Sequence, residues 1–202
     1  MDEKNLTALA EAVLGRICIP LEASARHVHL NEAQIQELFG HSLTPLRPLS
    51  QPGQFLARER VMLQGAKGKL HNVAVLGPAR KTAQVEISLT DSRQLGIHAP
   101  IRQSGDTAGS PGIVIVGPCG ALSLAEGVII AQRHLHLTPQ SADRFGVKDK
   151  QVIRLQTFTR RPLIFDDVVV RVSPDFDDRV HLDFDEANAC AMETGDWGRI
   201  LP

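Results

Sequence analysis

The chain has 202 residues and a formal net charge of −1, with positive and negative side chains well mixed. That is enough to bury a core in one or two domains, and it gives no electrostatic case for nucleic acid or an anionic membrane surface. Tyrosine is absent and one Trp and seven Phe remain, so platforms for stacking single-stranded bases are not expected.

No apolar run approaches the ~20 residues of a membrane span and no signal peptide is visible, so the expected location is the cytosol. Near the start, Leu6, Leu9, Val13, Leu14 and Ile17 recur at helical spacing, with Asp2, Glu3, Lys4, Glu11 and Arg16 elsewhere. The spacing predicts a short amphipathic helix over residues 2 to 17, which either docks on the body of the protein or offers a handle to a partner helix.

Next comes Arg26-His27-Val28-His29-Leu30, a pattern repeated 107 positions later as Arg133-His134-Leu135-His136-Leu137. In an extended strand, histidines two apart point the same way, so each pair can converge on one cation, zinc being the best fit. Both copies run into a helix start. Asn31 with Gln34 makes a capping-box spacing closed by Phe39-Gly40; Thr138 and Pro139 open the second helix, closed by Phe145-Gly146. A repeat of half the chain means duplicated domains rather than a solenoid. A single His-x-His is as readily a pair of half-exposed strand histidines, but two copies in equivalent contexts favour metal. His41, His71 and His98 read as surface residues.

Two imidazoles do not hold zinc firmly, and each half offers one candidate third ligand. In each, a β-rich run ends at a proline, Val73 to Pro78 and Val168 to Pro174, and a new strand then carries an ionisable residue between apolar neighbours. Glu86 stands eight residues after its proline and His181 seven after its own, so the correspondence is approximate. Between the halves, Ser104 to Gly112 is rich in Gly, Ser and Pro and reads as a long functional loop. Elsewhere Val, Ile and Leu fall in many short strands separated by Gly/Pro turns. The expected fold is mostly β with short helices and a barrel-like architecture. Cys18, Cys119 and Cys190 are odd in number and widely spaced, which reads as reduced, non-ligand thiols.

Several runs together carry a family likeness: SARHVHL (24–30), QPGQF (51–55), VLGPAR (75–80), QVEIS (84–88) with Thr90 and Asp91, SGD (104–106), GSPG (109–112), RHLHL (133–137) and HLDFDEAN (181–188). Over residues 21 to 190 the chain resembles the PduL-type phosphate propanoyltransferases, the phosphotransacylases of bacterial microcompartments. The resemblance implies two β-barrel domains related by pseudo-two-fold symmetry. They would span residues 24–132 and 133–202, the second also taking a strand from around 18–23, with residues 1–20 as a separate N-terminal helix. It implies a dinuclear zinc site, two Zn2+ per chain, and transfer of a short acyl group between coenzyme A and phosphate to give acyl phosphate. One zinc would take His27, His29, Glu86 and the coenzyme A sulfur, the other His134, His136, His181 and waters.

By the same resemblance Arg80 holds phosphate as the catalytic cation, while Ser24, Arg47, Leu76 and Asn188 contact coenzyme A, Arg47 standing where the family often has Lys. Ala74 replaces a common arginine and Arg93 a common aromatic residue, so one phosphate-directed cation and one apolar contact to the coenzyme are missing. A homodimer or higher homo-oligomer and a place in a microcompartment serving propanediol degradation also follow from the likeness, while recruitment to shell or core proteins through the N-terminal helix is expected from its amphipathic spacing and its position outside the motif-bearing region. Two other classes use the same residues: a zinc-dependent acyl-CoA hydrolase, against which the missing Asp-His of the metallo-β-lactamase pattern counts, and a non-catalytic, cupin-like metal or coenzyme-binding module.

Overall fold

Alternation of apolar and polar side chains along short runs sets the architecture of the protein, obtained as a computed structural model that describes residue 5 and residues 13–201. In chain order the elements are β1 (Ile19–Ser24), β2 (His27–His29), α1 (Glu32–Phe39), β3 (Pro45–Pro48), β4 (Phe55–Gln64), β5 (Lys69–Gly77), β6 (Gln84–Ile87), α2 (Leu89–Leu95), β7 (Ile101–Arg102), β8 (Ile113–Val116), β9 (Ala121–Leu124), β10 (Val128–Ala131), β11 (His134–Leu137), α3 (Pro139–Phe145), β12 (Val152–Phe158), β13 (Ile164–Val172), β14 (Arg179–Asp183), α4 (Phe184–Ala189) and β15 (Trp197–Leu201). The chain is mostly β, as its strand-length apolar runs predict. Of the helix expected over residues 2 to 17, residues 2–4 and 6–12 lie outside the described residues.

Two units divide the chain. One comprises the residues up to 24, 133–182 and those from 186 onward. It is a closed six-stranded barrel in the order β1-β14-β11-β13-β12-β15, so the strand before residue 24 closes a barrel built otherwise from the C-terminal half. β12 shows the cause: Ile153, Leu155 and Thr157 are buried while Val152, Arg154 and Phe158 are exposed, the period-two pattern of a strand with one face on a core. Closure leaves this sheet without a free edge.

The other unit comprises residues 25–132 and 183–185. Its nine-stranded sheet, curled as a half-barrel, runs β7-β10-β6-β2-β5-β4-β8-β9, with β3 added against β4. Its core includes Val28, Leu30, Val73, Val75 and Val85, all fully buried. Each such side chain contributes about 1.5–3 kcal/mol by leaving water.

The duplication is visible in local detail. β2 leads into α1, whose N-cap Asn31 accepts from the Gln34 N–H while Gln34 bonds back to the Asn31 N–H, and Gly40 ends the helix at φ +73°. β11 leads into α3, capped by Thr138, started by Pro139 and ended by Gly146 at φ +66°. At both glycines the left-handed conformation would strain any residue with a Cβ. These are the caps the sequence spacing predicts.

Candidate metal centres

Leu135 and Leu137 are fully buried in the barrel core, so alternation sends His134 and His136 to the opposite face of β11. Val28 and Leu30 do the same for His27 and His29 on β2. Register then selects the third donor. β2 pairs antiparallel with β6, placing His27 directly across from Glu86; β11 pairs antiparallel with β14, placing His134 directly across from His181. Residues directly opposite in an antiparallel pair share a face, so in each unit the third ionisable group joins the two imidazoles. His27, His29 and Glu86 form one cluster and His134, His136 and His181 the other, with one donor atom from each residue inside a 4.8 Å span. The approximate correspondence of Glu86 with His181 in sequence is thereby an equivalence in space.

The donor sets suit zinc. Catalytic zinc sites use three protein ligands drawn from His and Glu and leave a fourth position for substrate. Buried polar atoms nearly always have a partner, yet His29 Nδ1 and both ring nitrogens of His136 are buried with no hydrogen-bond partner, and a cation in each cluster would engage His29 Nδ1 and one nitrogen of His136. Around one tetrahedral ion with bonds of about 2.0–2.1 Å, ligand atoms lie roughly 3.4 Å apart; modest side-chain adjustment closes either cluster to that spacing. Orientation is partly fixed already. His27 Nδ1–H donates to the Ala25 carbonyl at 2.7 Å, leaving Nε2 to face Glu86 Oε2 at 3.6 Å.

Electrostatics keeps most of these groups ready to bind a cation. Burial, then the charges of His27 and Arg80, push His29 down to about 2. Burial, then His134 and Arg171, push His136 down to about 3. Both are therefore neutral imidazoles at neutral pH. Burial opposes charge on His27, but the Glu86 carboxylate and the Ala25 carbonyl outweigh it and hold that pKa above the usual value. Burial likewise opposes charge on Glu86, yet His27 beside it keeps the carboxyl well below the carboxylate range.

Polar side chains extend the first cluster. Gln84, opposite His29 in the ladder, donates through Nε2 to Glu86 Oε1 and to Ser104 Oγ at 2.9 Å, and accepts from the Gly105 N–H at 2.7 Å. Arg80 reaches the same Ser104 Oγ at 3.4 Å. The start of the 104–112 loop is thus built into the surroundings of Glu86. In the barrel, Arg171 pairs with His136 in parallel register; its guanidinium lies 5.7 Å over the Phe176 ring, which stacks on His136 at 4.1 Å. Sequence reasoning missed Gln84, Ser104 and Arg171 as site residues. The signal for Arg171 was a lone cation in the apolar run 168–172, at the position equivalent to Leu76.

The remaining expected residues are placed as follows. Leu76 is half-buried on β5, two residues from Ala74, which pairs with His27; both lie on the cluster's face of the sheet, and the Leu76 backbone reaches the His29 ring. Arg47 is exposed on β3 and donates to the Pro48 carbonyl at 3.5 Å. Ser24 ends β1, half-buried, and Asn188 is exposed on α4, both residues belonging to the barrel unit. Arg93 is exposed near the end of α2. Cys18 and Cys190 are buried and Cys119 exposed, all three as free thiols. His41, His71 and His98 are exposed.

Residues 20–193 match the sequence profile of the phosphate propanoyltransferases. Among curated relatives, the phosphate propanoyltransferase of Thermotoga maritima is 52% identical over 182 residues, covering 88% of this chain and 86% of the relative. That of Listeria monocytogenes is 47% identical over 207 residues, covering 100% and 97%, and that of Clostridioides difficile 46% identical over 205 residues, covering 98% of each.

Proposed function

From the premise that the chain belongs to the phosphate propanoyltransferase family, which are phosphotransacylases, we propose that it moves a short acyl group between coenzyme A and phosphate with the help of two zinc ions, one held by each cluster. The observation that carries this reading is the matched register, His27 across from Glu86 and His134 across from His181, which brings three zinc-type donors together in each unit.

Zinc bound by these donors supplies Lewis acidity, polarising the thioester carbonyl and stabilising the departing thiolate, for which sulfur's affinity for zinc is suited. The side chains supply the rest. Arg80 presents a planar fork that matches phosphate and holds it for attack on the acyl carbon. Ser104 and Gln84 fix the Arg80 and Glu86 side chains by the hydrogen bonds that link all four. Attack by a phosphate oxygen and departure of the coenzyme thiolate exchange one acyl bond for another, so no covalent acyl-enzyme is needed. Leu76, on the face of the first cluster, and Ser24, Arg47 and Asn188 contact coenzyme A. With Ala74 and Arg93 in place of a cation and an aromatic ring, either affinity for the coenzyme is lower or Lys67, Lys69 or Lys81 supplies the missing charge.

The substrate is propanoyl-CoA or a chain of similar length, with acyl phosphate as product, and the protein acts as a homodimer or larger homo-oligomer in a microcompartment that degrades propanediol. The N-terminal segment recruits it to shell or core proteins; Val13 and Ile17 at its end are exposed. No helix among the described residues is long and apolar enough to cross a membrane.

Following acyl-CoA consumption with and without phosphate tests the reaction. A transacylase consumes acyl-CoA only with phosphate and makes acyl phosphate in equal amount; phosphate-independent release of free acid would make it a hydrolase, and no consumption a binding module. Deleting residues 1–17 is expected to abolish co-assembly with shell proteins while leaving turnover intact, and unchanged co-assembly would contradict the targeting role.

A further inference from the structure

The arginine before each His-x-His pair makes an ion pair that the duplication has preserved with different acids. In the sheet unit, Arg26 reaches Asp91 at 3.1 Å; in the barrel unit, Arg133 reaches Glu186 at 2.6 Å. Asp91 lies five positions beyond Glu86, and Glu186 five beyond His181. Both acids sit on the helix that follows the strand of the third donor, α2 or α4. Each pair therefore ties the residue beside the first ligand to the element just past the third.

Burial and bonding separate these from ordinary surface pairs, which contribute little. The Asp91 side chain is 2% exposed, and it also bonds the Ser88 N–H at the start of α2. Glu186 is 17% exposed, and Arg133 is held further by the Asp166 carbonyl at 2.6 Å and by the Phe165 ring at 5.8 Å. Asp and Glu differ by one methylene, yet each meets its arginine at hydrogen-bonding distance. The contact has been kept while the residue supplying it has not.

We propose that Arg26–Asp91 and Arg133–Glu186 are a duplicated positioning device, each bracing the three donors of its own cluster at the spacing a divalent cation requires. The arginines and acids are positioning residues that touch neither ion nor substrate, and the inference rests on the reading of the clusters as zinc sites. Outer partners that orient ligands typically contribute 10–100-fold to metal affinity.

The test is release of zinc from purified protein to a chromophoric chelator, followed in time and per chain. Wild-type protein is expected to hold two zinc ions. Arg26→Met should speed release of one of them by about 10–100-fold and leave the other unchanged, and Arg133→Met should speed only the other. Arg26→Lys, which keeps the charge and loses the fork, should fall between wild type and Arg26→Met. Should Arg26→Met fail to fold because it strands the buried Asp91, Arg26→Lys and Arg133→Met carry the test. Both zinc ions leaving faster in each folded variant, or neither, would overturn the proposal, since a purely structural pair has no reason to act on one ion alone. Wild-type protein that holds no zinc would instead overturn the metal reading, and the positioning proposal with it.

Discussion

Across from the first histidine of each pair, the nine-stranded sheet carries Glu86 where the closed barrel carries His181, while the strand framework holding the donors corresponds in the two. Each has a His-x-His strand, a parallel neighbour, an antiparallel neighbour bearing the third donor, and an arginine brace. Between the donor sets themselves the difference is one charge. A divalent ion would keep its full charge among three neutral imidazoles and lose one unit to a carboxylate, so on the proposed reading the barrel cluster would make the stronger Lewis acid and the sheet cluster the better host for a ligand that must leave.

The largest effect comes from breaking either cluster. Glu86→Ala and His181→Ala should each lose one zinc per chain and lower turnover by more than the ~10–100-fold cost of disturbing a ligand's outer partner. Retention of two zinc ions by either variant, measured by metal analysis, would show that its side chain is not a ligand. Exchanging the donors sharpens the comparison. Glu86→His should keep metal yet lose much of the activity, because the two ions then carry like environments; a fully active Glu86→His protein would mean that the difference in charge has no role.

Next in size are the cations beside the clusters. Arg80→Ala should leave zinc bound and raise the KM for phosphate about 10–100-fold, the equivalent of about 1.5–3 kcal/mol for charge-assisted hydrogen bonds. Arg171→Leu gives the barrel the residue the sheet already has at Leu76 and should have a smaller effect in the same direction. An unchanged phosphate KM in Arg80→Ala would remove Arg80 from the phosphate site.

Parts of this arrangement are legible in sequence because they are local. The histidine pairs follow from the two-residue period of a strand, and both helices after them follow from Asn31, Thr138, Pro139 and the closing glycines. The third donors are legible only approximately. Counting from Pro78 and Pro174 leaves Glu86 and His181 one residue out of step, because the connections between strands differ while the ladder register does not. Gln84, Ser104 and Arg171 are still less legible, since their roles depend on strands and loops far apart in the chain meeting at one face. That β1 closes the barrel is equally a matter of tertiary pairing; nothing in Ile19–Ser24 itself distinguishes the two sheets.

The smallest effect is in pH. In metal-stripped protein His29 and His136 refuse protons down to about 2 and 3, whereas the unfolded chain binds them from about pH 6.5 downward. The unfolded state then binds more protons, so stability falls as the pH drops from about 6.5. The lowered Glu86 adds to that loss at lower pH, while the raised His27 works against it, its contribution being present below about 6.5 and lost as pH rises. Each of the two histidines accounts for one proton taken up on unfolding between about pH 6.5 and 3, so His29→Gln and His136→Gln should flatten the acid-side fall in Tm to a similar extent over that range. A fall as steep as in wild type in either variant would contradict the assignment for that histidine.

The most direct measurement is metal content against activity in one preparation, before and after chelation and again after zinc is restored. Two zinc ions per chain, phosphate-dependent activity that disappears with them and activity that returns with them are the expected result. Full activity in protein holding less than one ion per chain would contradict the account.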